Sequence, residues 1–208
     1  MKTSIDIKDV ECNEEILTPE EQKDRIGILN LMVDEGGVLP ISKCSKFKIL
    51  DSLIKKRKLI LDEEGKEIQF AYPVSGLPTS HHITLKDGRE FYSMCAIDSL
   101  GSYFTFWQDL EIDSVCSTSG EPIKVVVKNG EIVYKSSPDI HCIHVDLNEF
   151  EDWSACCWNV MNFFLDEKKM KDYFEDKELD YETTYGLSLD KAFEVGKKIF
   201  YSEVLKWE

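Results

Sequence analysis

The chain lacks any apolar run near the roughly 18–20 residues that a membrane-spanning helix needs, so no membrane partner is expected. Its first residues, Met1-Lys2-Thr3-Ser4-Ile5-Asp6-Ile7, hold no apolar core of a secretory leader, and a cytoplasmic location is the expectation. Positive charge is scarce: 25 Lys and Arg stand against 40 Asp and Glu, a net charge of −15. Such a balance opposes a main role in gripping phosphate backbones, so nucleic acid is not an expected partner. There is no Cys-x-x-Cys pair, which removes zinc ribbons and thioredoxin-like redox motifs. Internal repeats and low-complexity tracts are missing too.

What remains is ordinary globular material with one peculiarity. At 42% hydrophobic and 31% charged residues, the chain of 208 can bury a real core and is not intrinsically disordered. The peculiarity is seven cysteines, Cys12, Cys44, Cys95, Cys116, Cys142, Cys156 and Cys157. An odd number in a chain without an export signal argues against a disulfide framework, so these thiols either fill the core or do chemistry.

Residues 1–72 read as an amino-terminal domain. Thr18, Pro19 and Glu21 form a helix start, with hydroxyl at the N-cap, proline at N1 and carboxylate at N3. Ile26, Leu29, Met32 and Val33 keep helical spacing until Gly36-Gly37. A second helix is expected over 43–57, then a hairpin of Leu59–Leu61 and Ile68–Ala71. Helices followed by a hairpin are the winged-helix order. Lys46, Lys48, Lys55, Lys56, Arg57 and Lys58 suit either a DNA-reading helix or a merely solvated face.

Residues 73–208 read as a second, mixed αβ domain after the Pro73-to-Pro78 junction, giving an α+β chain. Strands are expected around 83–85, 91–94, 111–116, 123–128, 131–135 and 140–147, with Asn129-Gly130 as a hairpin turn. Helices are expected over 95–106, 153–171 and 188–207. His81 and His82, after a proline-rich turn, are expected to be solvated. Cys142 and His144 share a strand face with His141 opposite, too few for a closed metal site; Cys116 reads as core packing.

Two cysteine constellations stand out. Cys95 and Asp98, at a strand-to-helix junction, share one face of a helix, where the positive end of the dipole favours thiolate and the carboxylate can carry a proton. The plainer alternative is a half-buried thiol beside an aspartate that complements the dipole. Cys156-Cys157 point to different faces, so at most one faces a given site; the plainer alternative is buried filler between Trp153 and Trp158.

Tyr92-Ser93-Met94-Cys95-Ala96-Ile97-Asp98 resembles the Tyr-x-x-Cys-Ala-x-Asp segment of the organomercurial (alkylmercury) lyases. The likeness extends to Cys116 before Ser117-Thr118-Ser119-Gly120, to Cys156-Cys157 ahead of Phe163-Phe164, and to Tyr72-Pro73-Val74. Trp158 to Asn162 departs from the family pattern, which has histidines after the cysteine pair. The resemblance implies a winged-helix-like domain followed by a catalytic αβ domain, and protonolysis of a carbon–mercury bond. It implies Cys95 and Cys156 as thiolate ligands, Asp98 as acid, and product mercury(II) held by Cys95, Cys156 and Asp98. Mercury(II) is soft, so thiolates outcompete oxygen and nitrogen donors, and two thiolates push electron density onto the carbon to be protonated. No cofactor is implied. Low-molecular-weight thiols, and a mercuric reductase taking the metal, are the implied partners. A non-catalytic carrier of soft metals or metalloids, and a thiol-switched regulator, are the other readings.

Overall fold

A computed structural model describes residues 1–10, 16–146 and 159–202 of the chain. Helix α1 (Pro19–Glu35) starts as expected: Thr18 Oγ1 accepts from the Glu21 amide, and the Glu21 carboxylate accepts from the Thr18 amide. Gly36, at φ +70°, ends it in the left-handed region that glycine enters without strain. Strand β1 (Leu39–Pro40) follows.

The expected helix over 43–57 is broken. A 3₁₀ turn spans Ile41–Cys44, and helix α2 covers only Leu50–Lys55. The cause lies in α1: Asp24 Oδ2 accepts from the Lys48 amide at 3.0 Å and the Ile49 amide at 3.3 Å. Those amides are thereby held outside a continuous helical ladder. Strands β2 (Leu59–Leu61) and β3 (Glu67–Ala71) form the expected hairpin.

Strands β4 (Val74–Ser75), β5 (His82–Leu85) and β6 (Glu90–Ser93) come next. Helix α3 (Ala96–Phe106) precedes strands β7 (Leu110–Val115), β8 (Pro122–Lys128) and β9 (Glu131–Lys135). The order β1-β3-β4-β6-β5-β7-β8-β9, with β2 also on β3, makes one nine-stranded antiparallel sheet among the described residues. It runs without interruption across the 72/73 junction, since Ala71 pairs with Val74 and Val74 with Ser93. The β8–β9 turn carries positive φ at Asn129 and Gly130, as its dipeptide demands.

Strand β10 (His141–Val145) centres a second sheet, flanked by β11 (Phe163–Phe164) and β12 (Thr184–Ser188). The expected helix over 153–171 is therefore corrected. Phe163 and Phe164 are a fully buried strand, and helix α4 (Glu167–Asp176) begins only at its Asp166 cap. A short apolar run does not by its period distinguish a buried strand from a helix; residues 153–158 lie outside the described residues. The last helix, α5 (Leu189–Phe200), ends before the expected 207, and residues 203–208 also lie outside the described set.

Helix α3 sits at the centre of the molecule, with every residue from Ala96 to Thr105 buried. It crosses α5 at two glycines: a Cβ on Gly196 would stand 3.0 Å from the Gly101 amide nitrogen. That close crossing fixes the helix whose first turn carries the Cys95–Asp98 pair.

Candidate active site

Strand β6 delivers the chain to Cys95, which is extended and caps α3, its Sγ accepting from the Asp98 amide at 3.4 Å. The same sulfur donates to Asp98 Oδ2 at 3.0 Å, inside the protein, with Cys95 1% and Asp98 4% exposed. The N-cap position of Cys95 and the third helical position of Asp98 thus bring thiol and carboxylate together, at the spacing that suggested a shared helix face. Serine hydroxyls fix the turn. Ser99 Oγ donates to the Cys95 carbonyl at 2.8 Å and lies 2.5 Å from Ser93 Oγ, and Ser102 Oγ donates to the Asp98 carbonyl.

The protonation state differs from the sequence expectation. Burial, then the adjacent Asp98 charge and its hydrogen bond, push the Cys95 thiol well above its ordinary range, outweighing the helix amides that favour thiolate. Burial also lifts Asp98 to about 7, held from going higher by the Cys95 hydrogen bond and the charge of Arg25. The geometry is that of a thiol donating to the Asp98 carboxyl oxygen, which sets a proton between the two groups.

The Ala96 amide, the next group along, donates to the Met161 carbonyl at 2.9 Å. Two residues on, the Phe163 carbonyl accepts from the Ser117 amide at 3.1 Å. The 159–164 segment is therefore stitched between the start of α3 and the turn after β7. Cys156 and Cys157, a few residues upstream, lie outside the described residues, as does Cys12.

The other thiols sort differently. Cys142 is buried in β10, and burial alone pushes it far up, making it inert filler. Cys44 is likewise raised by burial, against a lesser pull from Lys46. Cys116 is also buried, and burial alone would raise it. Hydrogen bonds from Ser119 Oγ and from the Leu165, Ser119 and Thr118 amides outweigh that, and its thiol lies below the ordinary range. Among the described residues, no three His, Cys, Asp or Glu side chains converge as a metal site.

His81 is not solvated. It is 2% exposed, with Nδ1 2.8 Å from Ser114 Oγ and its ring edge-on to Phe163. The Thr79 hydroxyl accepts from the His81 amide and donates to the Ser93 carbonyl, which curls the proline-rich turn inward. Nor does the basic cluster form one free face. Lys56 pairs with Glu21 at 2.7 Å and donates to the Ile16 carbonyl, while Lys58 is buried.

Arg25 escaped sequence reasoning. Its signal was positional: Gln22, Arg25, Leu29 and Met32 lie on one buried stripe of α1, and an arginine there is out of place.

A family model described as MerB, alkylmercury lyase, matches residues 74–201. Alkylmercury lyases of Bacillus cereus and Clostridium butyricum are each 27% identical over 150 residues, 72% of this chain and 64% of theirs. The chain thus spans a little less than two thirds of the length of these curated relatives. The alkylmercury lyase of Staphylococcus epidermidis is 23% identical over 139 residues, 67% of this chain and 61% of that one. A solved structure, the mercury-bound form of MerB2, superposes with a TM-score of 0.67 at 21% identity, covering 85% of this chain and 89% of that one. That likeness establishes a shared mixed α+β fold.

Proposed function

The chain belongs to the alkylmercury lyase family, and from that premise we propose that it cleaves carbon–mercury bonds by protonolysis. The observation that carries the reading is the buried Cys95 thiol donating to Asp98 at 3.0 Å. An organomercurial entering the site exchanges its labile ligand for the Cys95 sulfur. The S–H bond breaks as S–Hg forms, and the proton passes to Asp98, already its hydrogen-bond partner. A second thiol, Cys156 in this reading, then adds to mercury and releases its own proton. With two sulfurs bound, the carbon gains electron density. The Asp98 O–H bond breaks as C–H forms and C–Hg breaks. One organomercurial halide and two thiols give one hydrocarbon, one dithiolate mercury(II) and one acid, which balances.

Support for Cys156 as the second thiol is its place in the chain. The Met161 carbonyl, five residues after Cys156 in the sequence, accepts from the Ala96 amide beside Cys95, and the family resemblance names Cys156 as the partner thiol. Product mercury(II) rests on Cys95 and Cys156 with Asp98 beside it. The reading needs no resident cofactor, and takes an organomercurial as substrate and low-molecular-weight thiols to remove the metal, with a mercuric reductase as the onward acceptor. We also take residues 1–72 as a winged-helix-like unit, residues 73–208 as the catalytic αβ unit, and the cytoplasm as the site of action, where free thiols stay reduced.

Incubation of the purified protein with a simple alkylmercury compound and excess thiol should release hydrocarbon above the thiol-only background. Cys95→Ser should abolish release, Asp98→Asn should lower it by on the order of 100-fold or more, and Cys157→Ser should retain most of it. Tight binding of mercury without hydrocarbon would leave a soft-metal carrier instead. Equal losses in Cys95→Ser and Cys157→Ser would mean that the second ligand is the wrong member of the pair.

A further inference from the structure

Arg25 is completely buried on α1, and its contacts are unusual for a buried cation. Nη2 donates to the Tyr72 carbonyl at 2.6 Å and Nη1 reaches Gln22 Oε1 at 3.5 Å. Neither acceptor is a carboxylate, and Nε has no partner among the described residues. A charge kept in the interior on such terms is costly, and packing alone does not call for one.

Two routes connect it to the reacting pair. The guanidinium lies over the Phe200 ring, 5.8 Å from its centroid. Phe200 in turn covers Gly101 so closely that a Cβ there would stand 2.0 Å from the ring's Cδ2. Gly101 is one turn of α3 beyond Asp98, on the same face. By the other route, Arg25 grips Tyr72, which leads into β4, where Val74 pairs with Ser93, and Ser93 Oγ bonds to the Cys95 carbonyl. Among the described residues, the Asp98 charge opposes the effect of burial on Arg25, itself held at about 10.

We propose that Arg25 is a positioning residue for carbon–mercury cleavage. Lodged behind the first turns of α3, it supplies the fixed positive charge against which negative charge passes between Cys95 and Asp98 as Cys95 takes up mercury. It touches neither substrate nor the reacting atoms. A fixed charge in a dry site acts without reorganising at the moment of reaction, which is why one cation behind the helix matters. The inference rests on the lyase reading.

Arg25→Gln keeps a donor for the Tyr72 carbonyl and removes the charge, whereas Arg25→Lys keeps the charge. With a simple alkylmercury compound and excess thiol, Arg25→Gln should lower kcat on the order of 30- to 100-fold with KM changed less than about threefold. Arg25→Lys should recover most of that loss. Both should still bind one equivalent of mercury(II), read from thiolate-to-mercury ultraviolet absorption. Wild-type kcat in Arg25→Gln, no recovery in Arg25→Lys, or a loss confined to KM would each overturn the proposal. So would failure of both variants to accumulate as folded protein, which would make Arg25 a folding residue. Wild-type protein that releases no hydrocarbon would instead sink the lyase reading, and this inference with it.

Discussion

Cys95 and Cys116 make the contrast that matters at the scale of single residues. Both have almost no solvent-exposed surface, yet their thiols shift in opposite directions: deep burial and then the adjacent carboxylate raise Cys95, whereas hydroxyl and amide donors around Cys116 outweigh its lesser burial. The candidate nucleophile is thus the harder thiol to ionise at rest, and in the proposed reaction it relies on the adjacent acceptor rather than on standing thiolate. His81 gives a stability test. Burial depresses it to about 4, with the Asn162 hydrogen bond opposing. A histidine whose folded value lies below its unfolded 6.5 contributes stability that is full above that pH and is lost as pH falls towards 4. Urea melts should therefore show unfolding free energy declining between these limits, by at most about 3 kcal/mol from this residue. His81→Asn, which keeps an acceptor or donor for Ser114, should flatten the decline. His144, depressed by burial in the same sense, leaves a residual slope. Identical slopes in wild type and His81→Asn would clear His81 of the effect.

Among the elements, α3 and α5 are coupled by their glycines. A methyl group on Gly196 would meet the Gly101 nitrogen at 3.0 Å and the Ile97 carbonyl oxygen at 3.1 Å. These are backbone atoms of the opposing helix, which cannot rotate aside, so α5 must move away. Gly196→Ala should cost about 1–3 kcal/mol in thermal or urea unfolding. It should also slow turnover, because Ile97 adjoins Asp98. An unchanged melting temperature would show that the crossing has slack. Helix α1, the central helix α3 and most strands were legible in the sequence, because capping box, glycine stop and period-2 alternation are local signals. The second helix was not: its interruption is imposed by the Asp24 carboxylate, far away in sequence. Strand β11 was hidden because both phenylalanines are buried, which erases alternation.

For the molecule as a whole, the charge of −15, the pairing of Lys56 and the burial of Lys58 bear on one question. A phosphate-gripping surface needs free cations together on one face, and of the six candidates Lys58 is buried and Lys56 is committed to Glu21. Labelled random duplex DNA should stay unbound at about 50 mM salt in an anisotropy titration. Salt-dependent binding there would revive the regulator reading. The continuous sheet and the Arg89 bridge have a shared consequence. Arg89, in the β5–β6 turn, reaches Asn30 at 2.7 Å and Asp34 at 3.2 Å on α1. Strand pairing and side chains alike tie the amino-terminal elements to the part that carries Cys95.

By itself, the sequence made the pairing of Cys95 with Asp98 legible, since three-residue spacing at a helix start brings an N-cap side chain to the third residue of the helix. It likewise determined the helix starts and the Asn129-Gly130 turn. Only the tertiary structure decided the state of that pair, because burial, the strength of a thiol and the placing of a lone guanidinium depend on groups remote in the chain. Arg25, Tyr72 and Phe200 come together around α3 through packing, and no local spacing encodes that.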